Sequence, residues 1–395
     1  MRRLFLPLIA AVAVTASASD LDREALAFAR NSYLLEAERA NAEAEKAAAR
    51  AENVLEGPEA EFEYKFAPAG EKDRWGFSIG QSFEFPGIYG ARRRANRLRE
   101  GAFEQLYRRD LLDKTYEAKL ALIRYYEAQE ALEVIKNAYA NTDSLAVRYG
   151  QALERGETTI LEVKKIEIQL FDMRRRMTDA SNELDAALAA LEVLSGKGET
   201  PLPAARPLEA PELMSLEHYR SGMVENNPEL AYNSLMSDVE NAGMKIARMS
   251  SLPSFRVAYV HDFEENMHFN GFGVGITLPS WSSRSKTAEA RARAFAAGQI
   301  LEDSRVRAAA ELSSAYAAAS RLRKVYDESS ILVSADDYGH YLKVALDAGR
   351  ITLFTYFTEY NDYLDAKLSL ISLKGDYVRS EAALSKYSTD INAER

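Results

Sequence analysis

Residues 75–86 read WGFSIGQSFEFP, and large apolar side chains alternate in them with small or polar ones. Residues 271–279 read GFGVGITLP and keep the same alternation. Because successive side chains of a β-strand point to opposite faces, each stretch predicts a strand with one apolar face. A partner segment with the same period precedes each stretch, with Phe62, Tyr64 and Phe66 in the first and Phe255, Val257, Tyr259 and Phe263 in the second. The sequence therefore predicts two β-hairpins, over about 60–86 and 253–279.

An offset of 193 residues relates two halves of the chain. Phe85-Pro86 maps onto Leu278-Pro279, and Gly156 maps onto Gly349. Two landmarks about seventy residues apart keep one register, which indicates an internal duplication. We expect a first repeat over 19–195, a Pro-rich linker over 196–226, a second repeat over 227–388 and a short tail over 389–395.

Each repeat is predicted to run helix, strand, strand, long helix, turn, helix. The first helix is expected over about 21–54, and the long helices over about 89–150 and 283–347. Apolar residues recur at three- and four-residue spacing from Val163 to Leu194, which is typical of a coiled coil. A helix of sixty residues is on the order of 90 Å long, at ~1.5 Å per residue, and cannot bury itself alone.

Composition narrows the function classes. The 395 residues carry a formal net charge of -10 and no cysteine. Disulfides, thiolate metal sites and an acylated cysteine anchor are therefore excluded, and the acidic balance argues against a nucleic-acid partner. Arg2 and Arg3, an apolar run from Leu4 to Val14 and the small residues 16–18 predict a cleaved signal peptide over 1–18.

The number of strands decides the assembly that we expect. Strands of nine to eleven residues with this alternation have the length of transmembrane β-strands. One chain supplies four of them, whereas a closed barrel needs roughly eight or more and lipid tolerates no open sheet edge. Three chains supply twelve. We therefore expect a mainly α chain with a β membrane part, whose homotrimer forms a 12-stranded β-barrel that an α-helical barrel continues.

A family resemblance rests on residues 80–87, GQSFEFPG, followed by Gly90, Ala91 and Arg92. With the duplication, this stretch resembles the TolC-type outer-membrane efflux proteins, and within them the CzcC-like branch that serves heavy-metal pumps. The resemblance implies the channel subunit of a tripartite (RND-type) efflux or type I secretion system. Such a channel is a passive conduit in the Gram-negative outer membrane, with its helices in the periplasm. Its partners would be a periplasmic adaptor, an inner-membrane transporter and outer-membrane lipid, and it would need no cofactor.

The resemblance also places adaptor contacts at two periplasmic turns, about 148–163 and 341–356. The candidates are Tyr149, Leu153, Arg155, Gly156, Thr159 and Leu161 at the first turn, and Leu342, Leu346, Gly349, Ile351 and Leu353 at the second. An alternative interpretation of the two glycines is that they only cap the helices that precede them.

Carboxylates near these turns are candidates for a gate. Family members often close the periplasmic mouth with aspartates just after the second tip glycine, but this chain has Thr355 and Thr358 there. Glu162 occupies the equivalent place in the first repeat, and three copies around an axis would repel one another and attract cations. Glu359 and Asp362 are further candidates. The alternative is an ordinary solvated helix face.

Enzyme chemistry finds little support in the sequence. The four histidines, His218, His261, His268 and His340, include no pair at metal-ligand helical spacing, so no metal site is predicted. No phosphate-binding glycine loop or nucleophile with its base can be assembled. Two other classes remain open, namely a periplasmic coiled-coil adaptor or scaffold and an exported lipid hydrolase.

Overall fold

The structure is a computed structural model that describes residues 20–51, 55–68, 72–196, 201, 203–264, 267–278, 283–333 and 337–388. The predicted signal peptide, part of the predicted linker, Pro279 and the tail lie outside the described residues.

Helices dominate the described chain, and strands come in two pairs. The helices are α1 (Asp20–Arg30), α2 (Tyr33–Ala51), α3 (Gly87–Glu154), α4 (Ile160–Ser195), α5 (Leu216–Asn226), α6 (Pro228–Met249), α7 (Ser283–Val333), α8 (Asp337–Asp347) and α9 (Leu353–Ser385). The strands are β1 (Glu59–Lys65), β2 (Arg74–Phe83), β3 (Ser254–Glu264) and β4 (Met267–Thr277). A mainly α chain with a small β part is therefore confirmed for the single chain.

The four strands form one antiparallel sheet in the order β1-β2-β3-β4. The two hairpins are joined because β2 pairs with β3, with Phe77 opposite His261 and Ile79 opposite Tyr259. This pairing puts most of the large apolar residues of the four strands on one face, whereas Val260 and Phe269 lie on the other. On the apolar face, Phe272 of β4 is 83% exposed. The described protein leaves this apolar face uncovered.

Glycines of β2 make room for long side chains on the opposite, polar face. A Cβ at Gly76 would clash with the carboxylate of Asp262, and one at Gly80 would lie 2.7 Å from Nε of Arg256. Asp262 and Arg256 both belong to β3, and their side chains lie over the glycines of β2. The alternation of glycine with aromatic residues thus follows from packing across strands.

Among the described residues, one helix differs from the expected one. The first predicted helix, about 21–54, is broken into α1 and α2 at Asn31 and Ser32, whose N–H groups donate to Phe28 O (3.3 Å) and Ala29 O (3.1 Å). Such i→i−3 bonds tighten the last turn, and Asn and Ser side chains compete for backbone groups in helices. The predicted helix over 283–347 corresponds to α7 and α8, which are separated by residues 334–336 outside the described part.

The chain divides into two compact units, each described separately. One contains residues 1–32, 114–212 and 321–395, and the other residues 33–113 and 213–320. The second holds the sheet together with α2, α5, α6 and the first parts of α3 and α7. In it, α2 is tied to α3 by the ion pair of Lys46 Nζ with Glu104 (2.5 Å) and by that of Arg50 with Glu100 (3.1 Å).

The first unit holds α1, α4, α8, α9 and the later parts of α3 and α7. Lys374 of α9 pairs with Glu130 of α3 (2.7 Å), and Arg379 pairs with Glu127 (2.6 Å). Gly375 lies between these pairs, and a Cβ there would clash with Glu127. Among the described residues, no helix is long and apolar enough to cross a membrane.

Candidate functional site

Two turns in the first unit end α3 and α8 with the same backbone geometry. Gly156 has φ 71°, its N–H donates to Leu153 O (3.0 Å), and Glu157 N–H donates to Ala152 O (2.9 Å). This pair of bonds is a Schellman cap, which needs a residue in the left-handed region and therefore favours glycine.

Gly349 repeats the arrangement at the second turn. Its φ is 63°, its N–H donates to Leu346 O (3.0 Å), and Arg350 N–H donates to Ala345 O (2.9 Å). Every partner is 193 residues from its counterpart. The sequence offset therefore corresponds to repeated three-dimensional geometry at the two turns.

The helices that follow the turns begin with equivalent caps. Thr159 accepts a hydrogen bond from Glu162 N, and Thr352 accepts one from Thr355 N (3.1 Å). In the first repeat, the Glu162 carboxylate also accepts from Thr158 Oγ1 (2.5 Å) and Thr159 N (3.1 Å), which completes a capping box. These hydrogen bonds hold the pKa of Glu162 below its ordinary value, the bond from the Thr158 hydroxyl contributing most.

A hydrophobic cluster fixes the two turns against each other. This cluster, called the tip cluster below, contains Leu145 of α3, Ile166 of α4, Leu342 and Leu346 of α8, and Leu353, Tyr356 and Phe357 of α9, with Tyr149 and Ile351 packed on its edge. Tyr356 is fully buried, and desolvation raises its pKa to about 12. Its hydroxyl accepts a hydrogen bond from Asn141 Nδ2 (2.7 Å).

The adaptor-contact candidates are therefore divided between core and surface. Leu342, Leu346 and Leu353 are buried in the tip cluster, whereas Leu161 is 78% exposed. Arg155 is exposed and pairs with Glu157 (2.9 Å), and Gly156, Thr159 and Gly349 are exposed as well. Leu153 is half-buried.

The two turns also expose apolar residues that were not among the sequence-based contact candidates. Phe354 is the 193-residue counterpart of Leu161 and is 68% exposed, and Ile160 is also exposed. Tyr341 and Val344 expose their side chains on α8. The internal duplication could have identified Phe354, because it is the residue 193 positions after the candidate Leu161.

The gate candidates differ in their hydrogen-bond partners within the chain. Glu359 accepts a hydrogen bond from the Tyr338 hydroxyl (2.8 Å), which raises the pKa of that tyrosine. Asp362 is exposed and has no hydrogen bond or ion pair with other described residues. The Thr355 hydroxyl is hydrogen-bonded to the Thr352 hydroxyl, and the Thr358 hydroxyl donates to Phe354 O.

Polar pairs connect the elements around these carboxylates. Arg148 of α3 pairs with Asp347 of α8 (2.7 Å), so the two turns are also joined at the surface. Asn361 of α9 donates to Gln169 of α4 (2.9 Å), and these two residues belong to corresponding helices of the two repeats. A polar contact therefore joins α4 and α9, the corresponding helices of the two repeats.

The histidines of the second hairpin lie on the apolar face of the sheet. His268 Nδ1 is 3.3 Å from His261 Nε2, and His261 Nδ1 is 2.7 Å from Asn270 Oδ1. Within the described ranges there is no group of three or more His, Asp or Glu side chains that could hold a metal ion.

Comparison with known proteins gives the fold. No protein-family model matches the sequence, and no curated protein does. A membrane protein from Pseudomonas aeruginosa has a similar structure, with TM-score 0.75, 16% identity and 93% of each chain covered. The Campylobacter jejuni CmeC outer membrane channel matches with TM-score 0.73, 16% identity, and 93% of this chain and 85% of that chain covered.

The open-state MtrE outer membrane channel of Neisseria gonorrhoeae matches with TM-score 0.70 and 17% identity, covering 93% of this chain and 88% of its own. These likenesses extend over nearly the whole described chain, both units included. The expected resemblance is confirmed at the level of the fold: this chain has the fold of the TolC-type outer-membrane channels.

Proposed function

We propose that three copies of this chain form a passive channel across the Gram-negative outer membrane, and that the chain is not an enzyme. The observation that carries the proposal is the uncovered apolar face of the four-stranded sheet, with Phe272, Val274 and Ile276 largely exposed on β4. In the sheet order, β1 and β4 have no partner on their outer sides among the described strands. Lipid would cover the apolar face. Neighbouring chains would pair with the backbone N–H and C=O groups on the outer sides of β1 and β4.

The helical part of the channel would receive an adaptor protein in the periplasm and, through it, an inner-membrane transporter. Leu161 and Phe354 support a docking surface because they are exposed apolar residues at equivalent positions of two rigid helix starts. Three chains would present six such positions. Each turn would be held in place by the tip cluster, so the docking surface would be largely preorganised.

A double substitution tests the docking surface. We expect Leu161→Ser with Phe354→Ser to weaken binding of the purified periplasmic adaptor of the cell's RND-type pump by about tenfold or more, since exposed apolar anchors of this kind carry most binding energy. Biolayer interferometry measures the affinity. Val193→Ser, which alters an equally exposed apolar residue far along α4, is the matched control and should bind as the wild type does. Equal affinities for all three proteins would refute this docking surface.

We further propose that Glu162 contributes to cation preference at the periplasmic mouth. Glu162→Gln keeps a side-chain oxygen for the capping box but removes the charge. In planar bilayers, the reversal potential under a KCl gradient is expected to move toward zero in the variant. Because the pKa of Glu162 is lowered, the wild type should keep its cation preference somewhat below the pH at which an ordinary glutamate is protonated, and lose it at still lower pH. An identical reversal potential in both proteins at pH 7 would remove Glu162 from the gate.

For the cargo, we propose heavy-metal cations, on the basis of the resemblance of residues 80–92 to the CzcC-like branch. Deleting the gene should then sensitise cells to divalent metal salts more than to hydrophobic drugs. Sensitisation to drugs alone would assign the channel to a drug pump. Recovery of the chain in the soluble periplasm on fractionation would instead favour the adaptor or scaffold alternative.

A further inference from the structure

A groove lies in the sheet-bearing unit, where α3 leaves the sheet beside α6. Gly87, Gly90 and Arg94 of α3 line it together with Asp238, Lys245 and Met249 of α6, and it encloses about 350 Å³. The space beside Gly90 is open, because a Cβ at this position would meet no atom within 4 Å. The groove is thus lined by both charged and apolar side chains.

Its end nearest the sheet is apolar. A Cβ at Gly87 would lie 3.5 Å from Met249 Cε and 3.7 Å from Phe85 Cδ1. Phe85 lies just beyond Phe83, the last residue of β2. Phe85 and Met249 thus form an apolar wall of the groove where the sheet ends.

Two cations line the groove further from the sheet. Arg94 and Lys245 are exposed, and neither has an ion pair or hydrogen bond with other described residues. Arg94 is seven residues from Gly87, about 10 Å along the helix. Asp238, the carboxylate of the groove, lies eleven residues before Met249 on α6, at the end away from the sheet.

The helix geometry places Arg94 on the same side of α3 as Gly87, which faces Met249. Seven residues at ~100° each bring Arg94 back to within about 20° of Gly87 around the helix. Arg92 is about 200° from Arg94 at the same ~100° per residue, and its Nη2 donates to Glu84 Oε1 (2.9 Å) instead. A group that binds Arg94 would therefore approach along the groove.

Basic residues recur at this level in both repeats. Arg92, Arg93 and Arg94 are the sixth to eighth residues of α3, and Arg284 and Lys286 lie in the first turn of α7, with Lys286 the counterpart of Arg93. Positive charge at equivalent points of both repeats favours an anionic partner.

We propose that the groove binds the phosphate-bearing headgroup of an anionic phospholipid from the leaflet facing the periplasm. The phosphate would lie between Arg94 and Lys245, and an acyl chain would pass Met249 and Phe85 onto the apolar face. A lipid fits better than a free phosphate because the cations and the apolar surface are continuous. The inference rests on the proposed insertion of the strands in the outer membrane.

Native mass spectrometry of the full chain, purified in dodecyl maltoside and offered phosphatidylglycerol or phosphatidylcholine, tests this proposal. The wild type should retain phosphatidylglycerol preferentially. Arg94→Gln with Lys245→Gln, and separately Gly90→Leu, which fills the groove without changing its charge, should each retain it at least about fivefold less.

Controls separate the groove from general effects. Gly150→Leu makes the same change at another open position of α3, and Lys136→Gln with Arg321→Gln removes two exposed charges from the other unit. Both should retain lipid as the wild type does, and inorganic phosphate should not displace it. Equal retention of both lipids, unchanged retention in the groove variants, or displacement by phosphate would overturn the proposal. Liposome conductance of the groove variants distinguishes the two proposals, since a loss confined to lipid retention leaves the channel function intact.

Discussion

Replacing Phe272 with Arg is expected to prevent stable insertion of the chain into the outer membrane. Phe272 is the central residue of the eleven-residue strand β4, and its ring lies on the apolar face against Tyr259, with 6.0 Å between ring centroids. An arginine on the lipid face at the middle of the bilayer costs about 2–4 kcal/mol per chain, and three chains would incur it. Urea extraction of isolated outer membranes measures the inserted fraction, which we expect to fall to a small part of that of the wild type.

Gly271→Arg is the matched control for this substitution. Gly271 is the neighbouring residue on the opposite, polar face, and a Cβ there would meet no atom within 4 Å. An arginine on a lumen face is solvated, so this variant should insert normally and change only ion selectivity. If Phe272→Arg inserted as well as Gly271→Arg does, the apolar face would not be the lipid face.

Leu353→Ala should loosen the periplasmic tip strongly, whereas Ile160→Ala should not. These residues are 193 positions apart and each is the first residue of its helix, but Leu353 is 4% exposed and Ile160 is 54% exposed. A buried Leu→Ala change removes about 2–5 kcal/mol, while exposed substitutions stay within about 0.5 kcal/mol.

Hydrogen exchange of the amides at the start of α9 reports this difference. A loss of 2 kcal/mol corresponds to roughly thirtyfold faster exchange where local opening governs it. Exchange in the Ile160→Ala protein serves as the reference. Equal acceleration in both variants would mean that the two turns are packed alike and that the tip cluster does not hold α9.

The sequence predicted those parts of the fold that depend on local chemistry. The hairpins followed from period-two alternation, and the turns from Gly156 and Gly349, whose positive φ values favour glycine. The three-residue spacing of Thr159 and Glu162 also predicts a capping box, but the sequence analysis considered Glu162 only as a gate residue.

Other features depend on packing that no local pattern encodes. At Asn31 and Ser32, two weak helix formers interrupt a long Ala-rich segment that favours helix. Tertiary contacts decide whether the helix continues through them or breaks. The different burial of Ile160 and Leu353 arises because Leu353 packs with Leu342 and Leu346 of α8 in the tip cluster, whereas Ile160 does not belong to that cluster. The pairing of β2 with β3 likewise joins strands that are distant in sequence.

The most direct test of the central claim is the mass of the protein together with its conductance. The account predicts that the full chain, purified in detergent, has the mass of three chains by light scattering, and that the same material forms ion-conducting pores in liposomes. A single chain, of at most 44.1 kDa before removal of the predicted signal peptide, that leaves liposomes impermeable to ions would contradict it.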